Sequence, residues 1–74
     1  IALWATAWDS AADAREFAAA LGATLTRRHG PGPRRGAWQV EGGVSGFRRR
    51  GTRVLIIEGA RDRAELERLA RAVL

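Results

Sequence analysis

The run Val54-Leu55-Ile56-Ile57 constrains this chain more than any other feature. Consecutive β-branched and aliphatic residues favour extended backbone inside a sheet. Before the run, a tight turn around Gly51 predicts an antiparallel partner over residues 44–50. After it come Glu58-Gly59 and then a closing helix. Residues 54–57 are therefore the expected central strand, and the rest of the chain must supply its neighbours and its cover.

At the other end, Ile1 to Trp8 alternates Leu3, Ala5 and Ala7 with Trp4, Thr6 and Trp8. This is the period of a strand with two usable faces, and its apolar character predicts an interior place rather than an edge. Ser10, placed to accept from the backbone N–H of Asp13, marks a helix start. Ala14, Phe17, Ala18 and Leu21 make a narrow apolar stripe, and Gly22 is the expected stop. Ala23 to His29, rich in Thr and Arg, is read as a second strand with one half-buried face.

Gly30 to Gly36, Gly-Pro-Gly-Pro-Arg-Arg-Gly, is expected to be a loop, because two prolines lack a donor and the glycines are permissive. Two short strands follow, at Ala37 to Glu41 and Val44 to Arg50. A closing helix over Asp62 to Leu74 carries Leu66, Leu69, Ala70 and Val73 on one side, with Glu67 and Arg71 spaced to pair on the other. The order β-α-β-β-β-β-α predicts an α+β two-layer sandwich, an antiparallel sheet of four or five strands with two helices on one face.

A chain of 74 residues makes a single small domain, and such a chain buries only about 60–65% of its unfolded surface. Starting at Ile1 inside an apolar run, it reads as an excerpt from the C-terminal part of a longer protein. It contains no apolar stretch of the ~20 residues that span a bilayer and no signal-peptide pattern. With no cysteine it can form neither a disulfide nor a thiolate metal site.

One histidine and scattered carboxylates do not supply a metal site, so no cofactor is expected. Ser10 is explained as a cap and Ser45 has no base nearby in sequence, so no nucleophile stands out. Asp9 and Glu58 both fall at strand ends, but nothing in the sequence fixes their separation, and capping and solvation are the preferred reading over acid/base work. The chain by itself does not read as an enzyme. His29, beside Arg27 and Arg28, reads as solvated. The glycine-rich segment lacks phosphate-loop spacing.

The formal charge of +5 is carried entirely by arginine, with no lysine. Arg27, Arg28, Arg34, Arg35, Arg48, Arg49, Arg50 and Arg53 concentrate in the middle of the chain and are the candidate anion-binding residues, with Trp38 and Phe47 near enough in sequence to stack on bases. An abundance of Arg and Ala also follows from a GC-rich bacterial genome, so a solvated face is the preferred reading. Trp4, Trp8 and Trp38 are core residues by default. They become contacts with another domain if neighbouring chain covers the sheet.

Leu3-Trp4-Ala5-Thr6-Ala7-Trp8-Asp9-Ser10, followed by Asp13-Ala14-Arg15-Glu16-Phe17, resembles the C-terminal region of a family of bacterial and archaeal metallopeptidase-like proteins, typically secreted or membrane-anchored. There, a Trp-x-Thr-x-Trp-Asp-Ser/Thr strand enters an Asp-Ala-x-Glu-Phe helix. Arg50-Gly51-x-Arg53-Val54 and Ile57-Glu58-Gly59-Ala60 resemble that family's closing hairpin and last turn. Its His-Glu-x-x-His zinc motif and Gly-Trp-Gly-Gly-Asp-Arg segment have no counterpart here, so the resemblance transfers no catalytic residue. It implies a non-catalytic accessory domain of a larger zinc-metallopeptidase-like protein of the envelope or exterior, packed on the remainder of the parent chain. The alternative is an Arg-rich module for nucleic acid or another polyanion. An uncovered strand edge would also permit self-association.

Overall fold

A computed structural model describes residues 1–30 and 36–74. Its elements are β1 (Ala2–Ala7), α1 (Ala11–His29), β2 (Ala37–Val40), β3 (Gly43–Arg50), β4 (Arg53–Ala60) and α2 (Arg63–Val73). The fold is α+β: two helices and one four-stranded antiparallel sheet in the order β1-β4-β3-β2. The aliphatic run lies in β4, an interior strand, as its composition requires.

Gly51 takes φ 60° in the turn that joins β3 to β4, where Arg50 faces Arg53. Farther along β3 the register shifts between Val44 and Gly46, a bulge that turns the Ser45 hydroxyl to accept from the Gly59 N–H at 3.1 Å. Gly46 is required there, because a Cβ would run into the Gly36 carbonyl.

Three expectations are corrected. Residues 23–29 are the last part of α1, not a strand. Gly22 lies inside the helix, and the true end is Gly30, at φ 84°, whose N–H donates to the Thr26 carbonyl. Second, β1 is an edge strand despite its apolar sequence, because β4 is paired on its other side by β3.

Third, the helices lie on opposite faces of the sheet. Leu55 and Ile57 join Leu66 and Ala70 of α2 in the main core. Their neighbour Ile56 is paired with Phe47, whose ring lies against Gly22 of α1. Successive residues of a strand point to opposite faces, so one aliphatic strand serves two helices. No apolar stripe needs to share its cover with the other.

The two helices are capped alike. Ser10 accepts from Asp13 N–H at 3.1 Å, as its position in the sequence implies, and Asp62 accepts from Glu65 N–H at 2.8 Å. Glu65 reaches back to the Arg61 N–H, which fixes the chain as it enters α2.

Candidate functional site

The distinctive surface of the molecule is the free side of β1. Trp8 N–H donates to the Thr52 carbonyl, and the β1–β4 register continues in steps of two through Thr6, Trp4 and Ala2. Those residues therefore bond inward to β4. Alternation then turns the N–H and C=O groups of Leu3, Ala5 and Ala7 outward, where the sheet has no further strand among the described residues. Leu3 is 42% exposed and Trp4 51% exposed, on opposite faces of this edge, with Ile1 more exposed still.

Beside β1, beneath α1, runs a groove formed by two adjoining cavities. One, of about 210 Å³, is lined by Trp4, Leu21, Leu25, Arg28 and Ile56 among others. The second, of about 470 Å³, continues it past Ile1, Ala2, His29, Val40 and Glu58. Leu21, Leu25 and Arg28 follow one another at helical spacing, a signal in the sequence that the strand reading of residues 23–29 obscured.

The three tryptophans have different environments. Trp8 packs on Phe17 with ring centroids 4.6 Å apart, fastening the start of α1 to the end of β1. Trp38 is buried and stacks on Phe47 at 5.9 Å, and its indole N–H finds no partner among the described residues. Trp4 alone stands at the open edge. Leu3 and Ile1 are exposed beside it.

Among the described residues, the arginines do not form one surface. Arg48 donates to the Glu67 carboxylate at 2.6 Å and to the Phe47 carbonyl at 2.7 Å, tying β3 to α2. This contact, with lesser help from the charges of Arg63 and Arg71, holds the Glu67 carboxyl below its ordinary pKa against the opposing effect of burial. Arg50 donates to the Leu74 carbonyl and Arg53 to the Val73 carbonyl, satisfying the C-terminal end of α2. Arg49 bonds the Gly51 carbonyl. Arg27 and Arg28 lie on the last turn of α1, at the other end of the sheet, where cations suit the helix dipole. Arg34 and Arg35 fall outside the described residues.

Asp9 and Glu58 cannot act together. Glu58 pairs with Ala2 at the start of β1, whereas Asp9 lies beyond its end. His29 is exposed on the last turn of α1. Ser45 is buried with its hydroxyl engaged by Gly59. Among the described residues no group of three or more His, Cys, Asp or Glu is placed to hold a metal ion, and no helix is long and apolar enough to cross a membrane.

No curated protein and no solved structure matches the chain. A family match extends over residues 1–70, from the open strand β1 into α2, and so takes in every element of the fold. The chain belongs to the family described as Domain of unknown function (DUF8575).

Proposed function

We propose that this chain is a non-catalytic accessory module of a larger protein, which docks through β1 by accepting a further strand. The observation that carries this reading is the β1 edge itself: outward backbone groups at Leu3, Ala5 and Ala7, flanked by exposed Leu3 and Trp4. Soluble proteins ordinarily protect such an edge with charge, proline or a bulge, and β1 has none of these. An added strand satisfies the backbone groups, while side chains on alternate faces supply specificity. The resemblance of residues 3–17 to the C-terminal region of zinc-metallopeptidase-like proteins supports a parent of that kind.

The polyanion alternative has less support. Arg48, Arg50 and Arg53 already bond a carboxylate or the carbonyl end of α2, and a helix C-terminus repels anions.

Amide exchange at Leu3, Ala5 and Ala7 in the parent protein tests the docking reading. Slow exchange at all three, lost in a Leu3→Lys, Trp4→Lys double variant, is the expected result; exchange at the rate of exposed edge amides would sink it. Binding of the chain to heparin is expected to be no tighter than that of an equally charged control, across a salt series.

A further inference from the structure

We infer that the strand which docks on β1 is β1 of a second copy, so that two modules join into one continuous eight-stranded sheet. The inference rests on the docking reading and names its partner. Three features of the edge favour self-pairing over capture of a different strand.

The first is register. Pairing two antiparallel β1 strands about a two-fold axis at Ala5 sets Leu3 opposite Ala7 of the second copy and Ala5 opposite Ala5. Those are the residues whose backbone groups turn outward, so each N–H and C=O finds its complement. The arrangement is isologous, and it closes after two copies.

Side-chain size is the second feature. On the face that carries α2, Leu3 meets only Ala7, and the axis passes between two alanines. On the α1 face, Trp4 meets Thr6 and does not collide with a second tryptophan. Leu3, Ala5 and Ala7 are all exposed in the single chain, and α2 covers β3 and β4 rather than β1. There is room for the second copy on both faces.

The third is charge. Each chain carries a net +5, which opposes random association. Ile1 to Trp8, however, contains no charged side chain, so the arginines do not meet at the axis. The ends of the edge are also unlike. Asp9, Asp13 and Glu16 line a cavity at the Ala7 end, whereas Arg28 and His29 flank Ile1 and Ala2 at the other. Glu58 shares the latter groove, and among the described residues no ion pair joins it to Arg28. Antiparallel pairing brings the acidic end of each copy to the Arg28 end of the other, twice. Arg53, which faces Ala7 on β4, is directed to the α2 carbonyls.

Sedimentation of the chain from about 10 µM to about 1 mM tests the proposal, a range that covers associations weaker than a standard interface gives. Wild type is expected to become a dimer within it. Ala5→Lys, which sets two cations together on the axis at an exposed position, is expected to remain monomeric with an unchanged circular dichroism spectrum. Asp9→Arg is expected to weaken the dimer about 5-fold, and Asp9→Arg with Arg28→Asp to restore it.

A dimer that persists in Ala5→Lys overturns the proposal, because the contact then lies elsewhere. A monomer throughout also overturns it, and amide exchange in the parent protein then separates two cases. Protected Leu3, Ala5 and Ala7 amides would mean that a different strand docks there and the accessory reading stands. Unprotected amides would remove both.

Discussion

The two faces of the sheet are built on the same strand and closed to different degrees. Against Leu55 and Ile57, the 11-residue α2 buries Leu66 completely and Ala70 nearly so, with Leu69 and Val73 packed at the margin. Against Ile56 and Phe47, the 19-residue α1 buries only Ala14, and its larger side chains Phe17, Leu21 and Leu25 remain half-covered. Length does not decide how firmly a helix is held; the size of the residues on its inner stripe does. An alanine-rich helix approaches the sheet closely but removes little apolar area from water. The face it leaves incomplete adjoins β1, the strand whose edge and Trp4 side chain are also open.

The sharpest way to break this comparison is to truncate one leucine on each helix. Leu66→Ala empties a fully buried site and is expected to cost about 3 kcal/mol, within the usual range for core leucines. Leu21→Ala, at a half-covered site facing the groove, is expected to cost about 1 kcal/mol because water already reaches part of that side chain. Urea denaturation of the two variants measures both. Equal losses would mean that α1 is held as tightly as α2 and that the open-face description is wrong.

The same contrast explains what the sequence makes legible. The central strand, the Gly51 turn, the Ser10 cap and the closing helix are each specified by residues adjacent to one another, and each appears where those residues predict. The errors concern what is decided at a distance. Gly22 followed by Thr24, Thr26 and two arginines has the local marks of a helix stop and a polar strand. Yet Leu25 continues the stripe begun by Leu21, and Arg27, Arg28 and His29 followed by Gly30 make a better helix end. An edge place for β1 could not be read from β1 itself, since β3, not β1, forms the hairpin with β4. The division of the arginines was equally hidden. Arg50 and Arg53 meet α2 only because the hairpin brings them to its last turn.

A second test sharpens the comparison from the α1 side. Glycine inside a helix costs about 1 kcal/mol relative to alanine. A Cβ at Gly22 would lie 3.7 Å from the Phe47 ring, an ordinary contact, and the residue's backbone is not in the left-handed region. Gly22→Ala is therefore expected to stabilise the chain by roughly 0.5–1 kcal/mol, read as a higher denaturation midpoint. A loss instead would show that α1 is packed on Phe47 too tightly to admit one methyl group, and that the looser face is looser only toward β1.

The smallest expected effect belongs to the ion pair that links α2 to β3, a kind of tie that α1 lacks among the described residues. Arg48 holds the folded-state pKa of Glu67 below its ordinary value of 4.5, so the carboxylate binds its proton less readily folded than unfolded. The stability this contributes is complete above the unfolded value and is lost as pH falls through the folded one. Glu67 is 37% exposed, and pairs of this kind contribute about 0.2–1 kcal/mol. Glu67→Gln is expected to lower the denaturation midpoint slightly at pH 7, and the gap to wild type is expected to close as the pH drops below 4.5. A gap that stays constant with pH would show that Glu67 acts through packing alone. The stronger hold on α2 would then rest on Leu66 and its apolar neighbours, with no contribution from charge.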